Sequence, residues 1–260
     1  MTKPRVLLPL GLILFAVACD DPKPDVKAAP SATASAKTAP VVAAPSAVPS
    51  AAPVAKKREF SCDAASITFN LPGLEQEVRK KTGKDAGTIT KSDLATIKSI
   101  NLTQGQVDYL DPCVFPYLTG VKDIFLGPGD LEDLKGLEPL TQLISLRAAI
   151  NKVKDLKPLS RMTKLDRLDV SRSQVENIEA IGNMTDLTEL ALDDTLVEDL
   201  SPLAKCTKLE RISIKGTRVK DLRPLLGLRK LKSLSIKGSP ITDTNVLAPL
   251  RASGLKIEAG

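Results

Sequence analysis

The chain has 260 residues, enough for one or two domains. It contains no His and no Trp, so the commonest general base, proton shuttle and metal ligand is missing. Its net charge of +6 is concentrated at the start: residues 1–57 hold seven Lys/Arg against three Asp/Glu, and the other 203 hold 30 against 28. That near-neutral balance offers no nucleic-acid footprint, and no nucleic-acid partner is expected.

Lys3 and Arg5 precede an uncharged apolar run from Val6 to Ala18. Thirteen residues are too few to span a bilayer as a helix, which needs roughly twenty, but they suit the core of a signal peptide. The run ends in Ala16-Val17-Ala18-Cys19, which resembles the lipobox of bacterial lipoproteins. The resemblance implies a signal peptide over 1–18, lipidation of Cys19 and anchoring to a membrane of the bacterial cell envelope, on the periplasmic side or at the cell surface. An ordinary cleaved signal with an incidental Cys19 is the alternative. Residues 20–57 hold twelve Ala, seven Pro and no aromatic residue. So little bulky apolar surface does not offset the entropy of ordering, and the repeated prolines interrupt any helix. Residues 19–57 therefore read as a disordered tether, reaching roughly 35 Å as a coil.

Globular character starts near Phe60, and residues 58–98 form a first unit. Ser66-Ile67-Thr68-Phe69 alternates like a short strand. Leu71 to Lys81 reads as a helix with Pro72 early, Leu74 and Val78 on one face, and Gly83 as C-cap. A second helix opens at Thr90, with Asp93 completing a capping box and with Leu94 and Ile97 on its apolar face. Cys62 and Cys113 stand here. In an oxidising compartment they are candidates for a disulfide, and two separate semi-buried thiols are the alternative.

From Val121 the chain repeats every twenty-two residues, with lines opening at Val121, Leu143, Leu165, Leu187, Leu209 and Leu231. Apolar residues occupy positions 1, 4, 6, 11, 14, 17 and 20. Positions 4 and 6 alternate like a strand with one buried face. Positions 11 to 20 step by three, which suits a 3₁₀-like return. Cys206 falls at position 20 and reads as a buried free thiol. Leu255 and Ile257 look like positions 4 and 6 of a last strand, which with Ile100 and Leu102 at the front makes eight parallel strands spanning roughly 34 Å.

This pattern matches the leucine-rich repeat signature, and the Asp-Leu-x-Pro-Leu endings resemble the internalin-type, twenty-two-residue class. The arrangement of residues 58–98 resembles the helical N-terminal cap of those proteins, which covers the open apolar face of the first repeat. The implied fold is an α/β solenoid over 99–260: a curved parallel sheet, a 3₁₀ or short-helix convex side, and a small helical cap. Position 9, usually Asn in such repeats, keeps it only at Asn151. Gly129, Ser173, Thr195, Thr217 and Ser239 take the other lines, so the cross-repeat ladder should be weaker. Position 13 forms a row: Asp133, Asp155, Asn177, Asp199, Asp221 and Asp243. An acidic row could suggest calcium, but Asx residues before a tight helical turn cap its free N–H groups, and that accounts for every line.

Strand positions 2, 3, 5, 7 and 8 should form the concave face. They carry a chequerboard of Arg and acids, with Arg147, Arg167, Asp169, Arg172, Glu189 and Arg211 as candidate anchors for a partner. Phe125, Ile144 and Ile150 add a candidate apolar spot, a pointer to a protein partner. Mutual neutralisation on a solvated sheet, worth under about 1 kcal/mol per pair, is the competing account. No phosphate loop or dinucleotide motif is present, no cofactor or metal is expected, and the chain does not read as an enzyme. The expectation is a monomeric, membrane-anchored module that binds an unidentified protein. A structural envelope lipoprotein without a specific ligand is the alternative.

Overall fold

The computed structural model describes residues 59–63 and 66–259, all within one unit, Lys56–Gly260. The expected signal peptide, Cys19 and the tether lie outside the described residues. Eight three-residue strands form one parallel sheet in chain order: β1 (Ser99–Asn101), β2 (Asp123–Phe125), β3 (Ser145–Arg147), β4 (Arg167–Asp169), β5 (Glu189–Ala191), β6 (Arg211–Ser213), β7 (Ser233–Ser235) and β8 (Lys256–Glu258). The register follows the repeat. Ser99 aligns with Asp123, Ser145, Arg167, Glu189, Arg211 and Ser233 in turn, so each position of the line forms one row across the sheet.

The apolar positions make the core. Val121, Leu143, Leu165, Leu187 and Leu209 are wholly buried, as are Leu137, Leu159, Leu203 and Leu225 of the convex side. That side is built of short 3₁₀ turns, among them Lys135–Leu137, Lys157–Leu159, Glu179–Asn183, Ser201–Lys205 and Arg223–Gly227. The position-13 row caps them. Asp133, Asp155, Asn177, Asp199, Asp221 and Asp243 each accept the backbone N–H two residues on, at 2.7–2.9 Å. This Asx turn sits one residue before each formal N-cap and satisfies a donor the turn leaves free.

Position 9 divides as its chemistry dictates. Asn151 is buried and donates to Gly127 O at 3.1 Å and Ala149 O at 3.0 Å, while its Oδ1 accepts from Leu131 N–H at 3.2 Å. It thus ties two repeats together. The hydroxyls of Ser173, Thr195 and Thr217 each turn back on a carbonyl of their own repeat, at 2.7–2.8 Å. At Gly129 a Cβ would lie 2.3 Å from Val107 O, so no side chain fits in that line.

The cap has helices α1 (Leu74–Thr82) and α2 (Lys91–Thr96). The Thr90–Asp93 capping box forms, with Asp93 N–H on Thr90 Oγ1 at 3.2 Å and Thr90 N–H on Asp93 Oδ2 at 2.9 Å. The first helix starts later than the sequence suggests, because Gly73 takes φ +78° and turns the chain just before Leu74. Ile97 lies just past α2 in an extended conformation and is buried there. The expected strand at Ser66–Phe69 does not form. Strand β1 offers no edge there: α1 packs beside it, and Glu77 Oε1 accepts Asn101 N–H at 3.0 Å. The segment instead packs Ile67 and Phe69 against the core.

Two features anchor this segment. Cys62 and Cys113 are bonded, with Cα atoms 5.3 Å apart. Beside them the wholly buried Asp111 carboxylate accepts from the N–H groups of Asn70, Leu71 and Cys113 and from the Asn70 amide, at 2.5–3.2 Å. Such a fully satisfied carboxylate is compatible with burial. At the other end, the last strand lies two residues away from expectation. Leu234 aligns with Ile257, so Ile257 and not Leu255 is position 4. A short helix α3 (Ala248–Ala252) and Gly254 at φ +105° lengthen that line by one residue.

Candidate functional site: the concave face

The strands expose positions 3 and 5 on the concave side, and rows of these side chains line a groove of about 400 Å³. Among the expected residues, Phe125, Arg147, Arg167, Asp169, Glu189 and Arg211 line it. Ile144, Ile150 and Arg172 do not. Ile144 is half-buried at the margin before β3, and Ile150 is 46% exposed beyond the end of the strand. Arg172 stands at the same beyond-strand position and pairs with Asp194 at 3.6 Å. The groove therefore has one aromatic side chain, Phe125, rather than the apolar spot expected from three residues.

Position 8 explains the displacement of Ile150 and Arg172. Ile150, Arg172 and Asp194 have φ of 61°, 55° and 53°, and Gly216 and Gly238 occupy the same position with φ 63° and 77°. The chain reverses here in a left-handed conformation, which swings the side chain off the sheet. The N–H groups of Ile150, Arg172, Asp194 and Gly216 still bond the next repeat, as Ile150 N–H does to Ser171 O at 2.8 Å.

The charges pair mostly between neighbouring repeats. Arg147 Nε meets Asp169 at 3.4 Å, Arg211 meets Glu189, and Lys215 Nζ meets Asp193 at 3.0 Å. Arg167 Nε instead reaches its neighbour Asp166 at 3.3 Å. In both Arg147 and Arg167 the closest approach to the acid is long and made by Nε, and the side chains are 57% and 55% exposed. Neither guanidinium makes a hydrogen bond to a described residue, so each presents the planar fork that takes a carboxylate in two hydrogen bonds. This pair of open forks beside Phe125 was not legible as such: the sequence placed the arginines on the face but not their partners.

Cys206 plays no part in this surface. It is wholly buried, its thiol donates to Ile181 O at 3.3 Å, and burial pushes its pKa up to about 11. Among the described residues no cluster of three potential metal ligands occurs and no helix is long and apolar enough to cross a membrane.

With the geometry in view, solved structures show the fold. The chain is similar to an internalin from Listeria monocytogenes, with 26% identity and a TM-score of 0.66 over 71% of this chain and 54% of that one. The chain thus spans about half the length of that internalin. It is also similar to internalin C2 of Listeria monocytogenes, with 23% identity and a TM-score of 0.60 over 73% of this chain and 93% of that one. A leucine-rich repeat protein of Leptospira interrogans gives 17% identity and a TM-score of 0.51 over 65% of this chain and 51% of that one. No family model matches the chain, and no curated protein does. The fold is a leucine-rich repeat solenoid of the internalin type.

Proposed function

We propose that the chain is an exported, lipid-anchored binding protein of the bacterial cell envelope, not an enzyme, and that its concave face docks a protein partner. The observation that carries this reading is the pair of open guanidinium forks of Arg147 and Arg167 beside Phe125. A solenoid presents such a face along its whole length, and arginine and aromatic side chains are favoured interface anchors. Cys19 bears the lipid, 1–18 is the signal peptide, 19–57 the tether, and 58–98 the cap of the repeat domain 99–260.

The test is capture in the source cells, with a photo-crosslinker placed at Phe125. The wild-type chain should yield one specific crosslinked protein, and Arg147→Glu/Arg167→Glu should lose it while keeping its melting temperature. A wild-type chain that crosslinks nothing specific sinks the docking reading. The anchor is tested separately by metabolic labelling with a palmitate analogue. Label on the wild type and none on Cys19→Ser is expected, and an unlabelled wild type overturns it.

One observation favours a second reading. Ion pairs between neighbouring repeats partly neutralise the face, as at Arg211–Glu189 and Lys215–Asp193, which suits a structural envelope lipoprotein with no specific ligand.

A further inference from the structure

Charge along the solenoid is segregated. Residues 173–204 hold eight Asp/Glu and no Lys/Arg, while residues 205–258 hold thirteen Lys/Arg against four Asp/Glu. The ion pairs bridge this boundary in one direction. Lys208, Arg211, Lys215 and Lys220 reach back to Asp186, Glu189, Asp193 and Glu198, each one repeat before. Line 231–252 has only Asp243 as an acid, and it caps a turn. Cations are therefore left over. Lys205, Arg218, Arg229, Lys230, Lys237 and Lys256 are exposed and make no ion pair or side-chain hydrogen bond with any described residue.

The same end of the concave strip has a different floor. Over β2 to β4 the strip is filled by Phe125, Arg147, Arg167 and Asp169, whereas over β5 to β7 the paired Glu189 and Arg211 share it with the small side chains of Ala191, Ser213, Ser233 and Ser235. Beyond the Arg211–Glu189 pair the small side chains leave a trough, with Lys237 just past β7 and Lys256 and Glu258 on β8, where Glu258 accepts the Ser235 hydroxyl at 2.7 Å.

We infer that this C-terminal trough receives an acidic segment of the protein partner, with its carboxylates on Lys237 and Lys256 and its backbone over β7, where Ser213 and Ser235 are already engaged by Asp193 and Glu258 and Ser233 is left to meet it. This rests on the docking reading above and adds the sign and the orientation of the partner. Three features select the occupant. The surplus of cations calls for an anionic partner. A bilayer is flat and cannot enter a concave strip. Phe125 is the last aromatic residue of the chain, so single-stranded nucleic acid would find no base-stacking platform in the trough.

The probe is a fluorescein-labelled oligoglutamate peptide, titrated with the full chain at low salt and followed by anisotropy. Lys237→Glu/Lys256→Glu should weaken binding by about tenfold or more. The control, Lys154→Glu/Lys157→Glu, makes the same change in net charge at exposed lysines of the convex flank that pair with no described residue and should leave affinity within about twofold. Equal losses in both variants would reduce the effect to net charge and overturn the proposal, as would no loss in either. Phosphatidylglycerol vesicles and an oligo-dT strand run alongside. If either is bound through Lys237 and Lys256 while oligoglutamate is not, the occupant is a membrane or a nucleic acid and the proposal falls. The titration needs neither lipid nor cells, so its failure leaves the crosslinking result at Phe125 standing, and the converse holds.

Discussion

At the scale of single residues, Ile150 is the most informative. A β-branched side chain in the left-handed region is strained, by about 1–2 kcal/mol relative to the right-handed alternative. It persists because both its backbone groups are bonded, N–H to Ser171 O at 2.8 Å and O to Gly129 N–H at 3.0 Å, and because Asn151 beside it ties repeats together. The side chain is 46% exposed, so little packing depends on it. Ile150→Gly should therefore stabilise the fold: relief of strain outweighs the loss of about 0.5–1 kcal/mol to glycine's extra chain entropy. Urea unfolding would show a higher midpoint with an unchanged slope; a lower midpoint would mean the side chain holds something the strain argument omits. The residue also marks where sequence reading stops. Leucine positions, the Asx row and Asn151 declare themselves by period and chemistry. The left-handed position 8 does not, because Gly216 and Gly238 signal it in only two lines, while Ile150, Arg172 and Asp194 conceal it.

Single elements show how the cap is held and how its hold depends on pH. The Thr90–Asp93 box was readable from spacing alone. Its third partner was not: Lys84, nine residues upstream, places Nζ 2.7 Å from Asp93 Oδ2. Chiefly that bond, with the Thr90 N–H, holds the Asp93 carboxyl at about 2. A carboxyl depressed in the folded state contributes stability above its unfolded pKa and loses it as pH falls through the folded one. Asp93→Asn should therefore be less stable than wild type at neutral pH, and the difference should shrink between pH about 4 and about 2. A difference unchanged across that window would mean the ionised form is not what stabilises the cap. The N-terminal segment is held differently, by a disulfide closing 51 residues of sequence separation and by Asp111. Cys62→Ser should cost up to about 4 kcal/mol, read calorimetrically; no loss would show that Asp111 alone anchors the segment. The failed strand at Ser66–Phe69 belongs to this scale too. Its alternation was real and does bury Ile67 and Phe69, but a strand needs an open edge, and only the folded cap reveals that Glu77 has closed it.

For the whole solenoid, stability is a chain of nearest-neighbour contacts, and the two ends differ. The first strand has α1 beside it, Glu77 on its edge and a covalent clamp near by. Among the described residues, β8 pairs only with β7, and Ile257 is only half-buried. The last lines also crowd like charges, thirteen cations against four acids over 205–258. Opening should therefore start at the C-terminal end and propagate inward. In native-state hydrogen exchange, the amides of β7 and β8 should lose protection before those of β2 and β3. Salt sharpens the test, because screening weakens repulsion among exposed cations within a Debye length of about 10 Å. Raising ionic strength should slow exchange over 205–258 and leave 121–147 nearly unchanged. Salt also weakens the exposed ion pairs that bridge the boundary at Lys208, Arg211, Lys215 and Lys220. Exposed pairs are worth little each, so repulsion among the unpaired cations should dominate. If salt instead speeds exchange in 205–258, the bridging pairs hold that end more strongly than its surplus charge loosens it. The trough would then be a rigid, pre-formed surface rather than one that firms up when an acidic segment neutralises it.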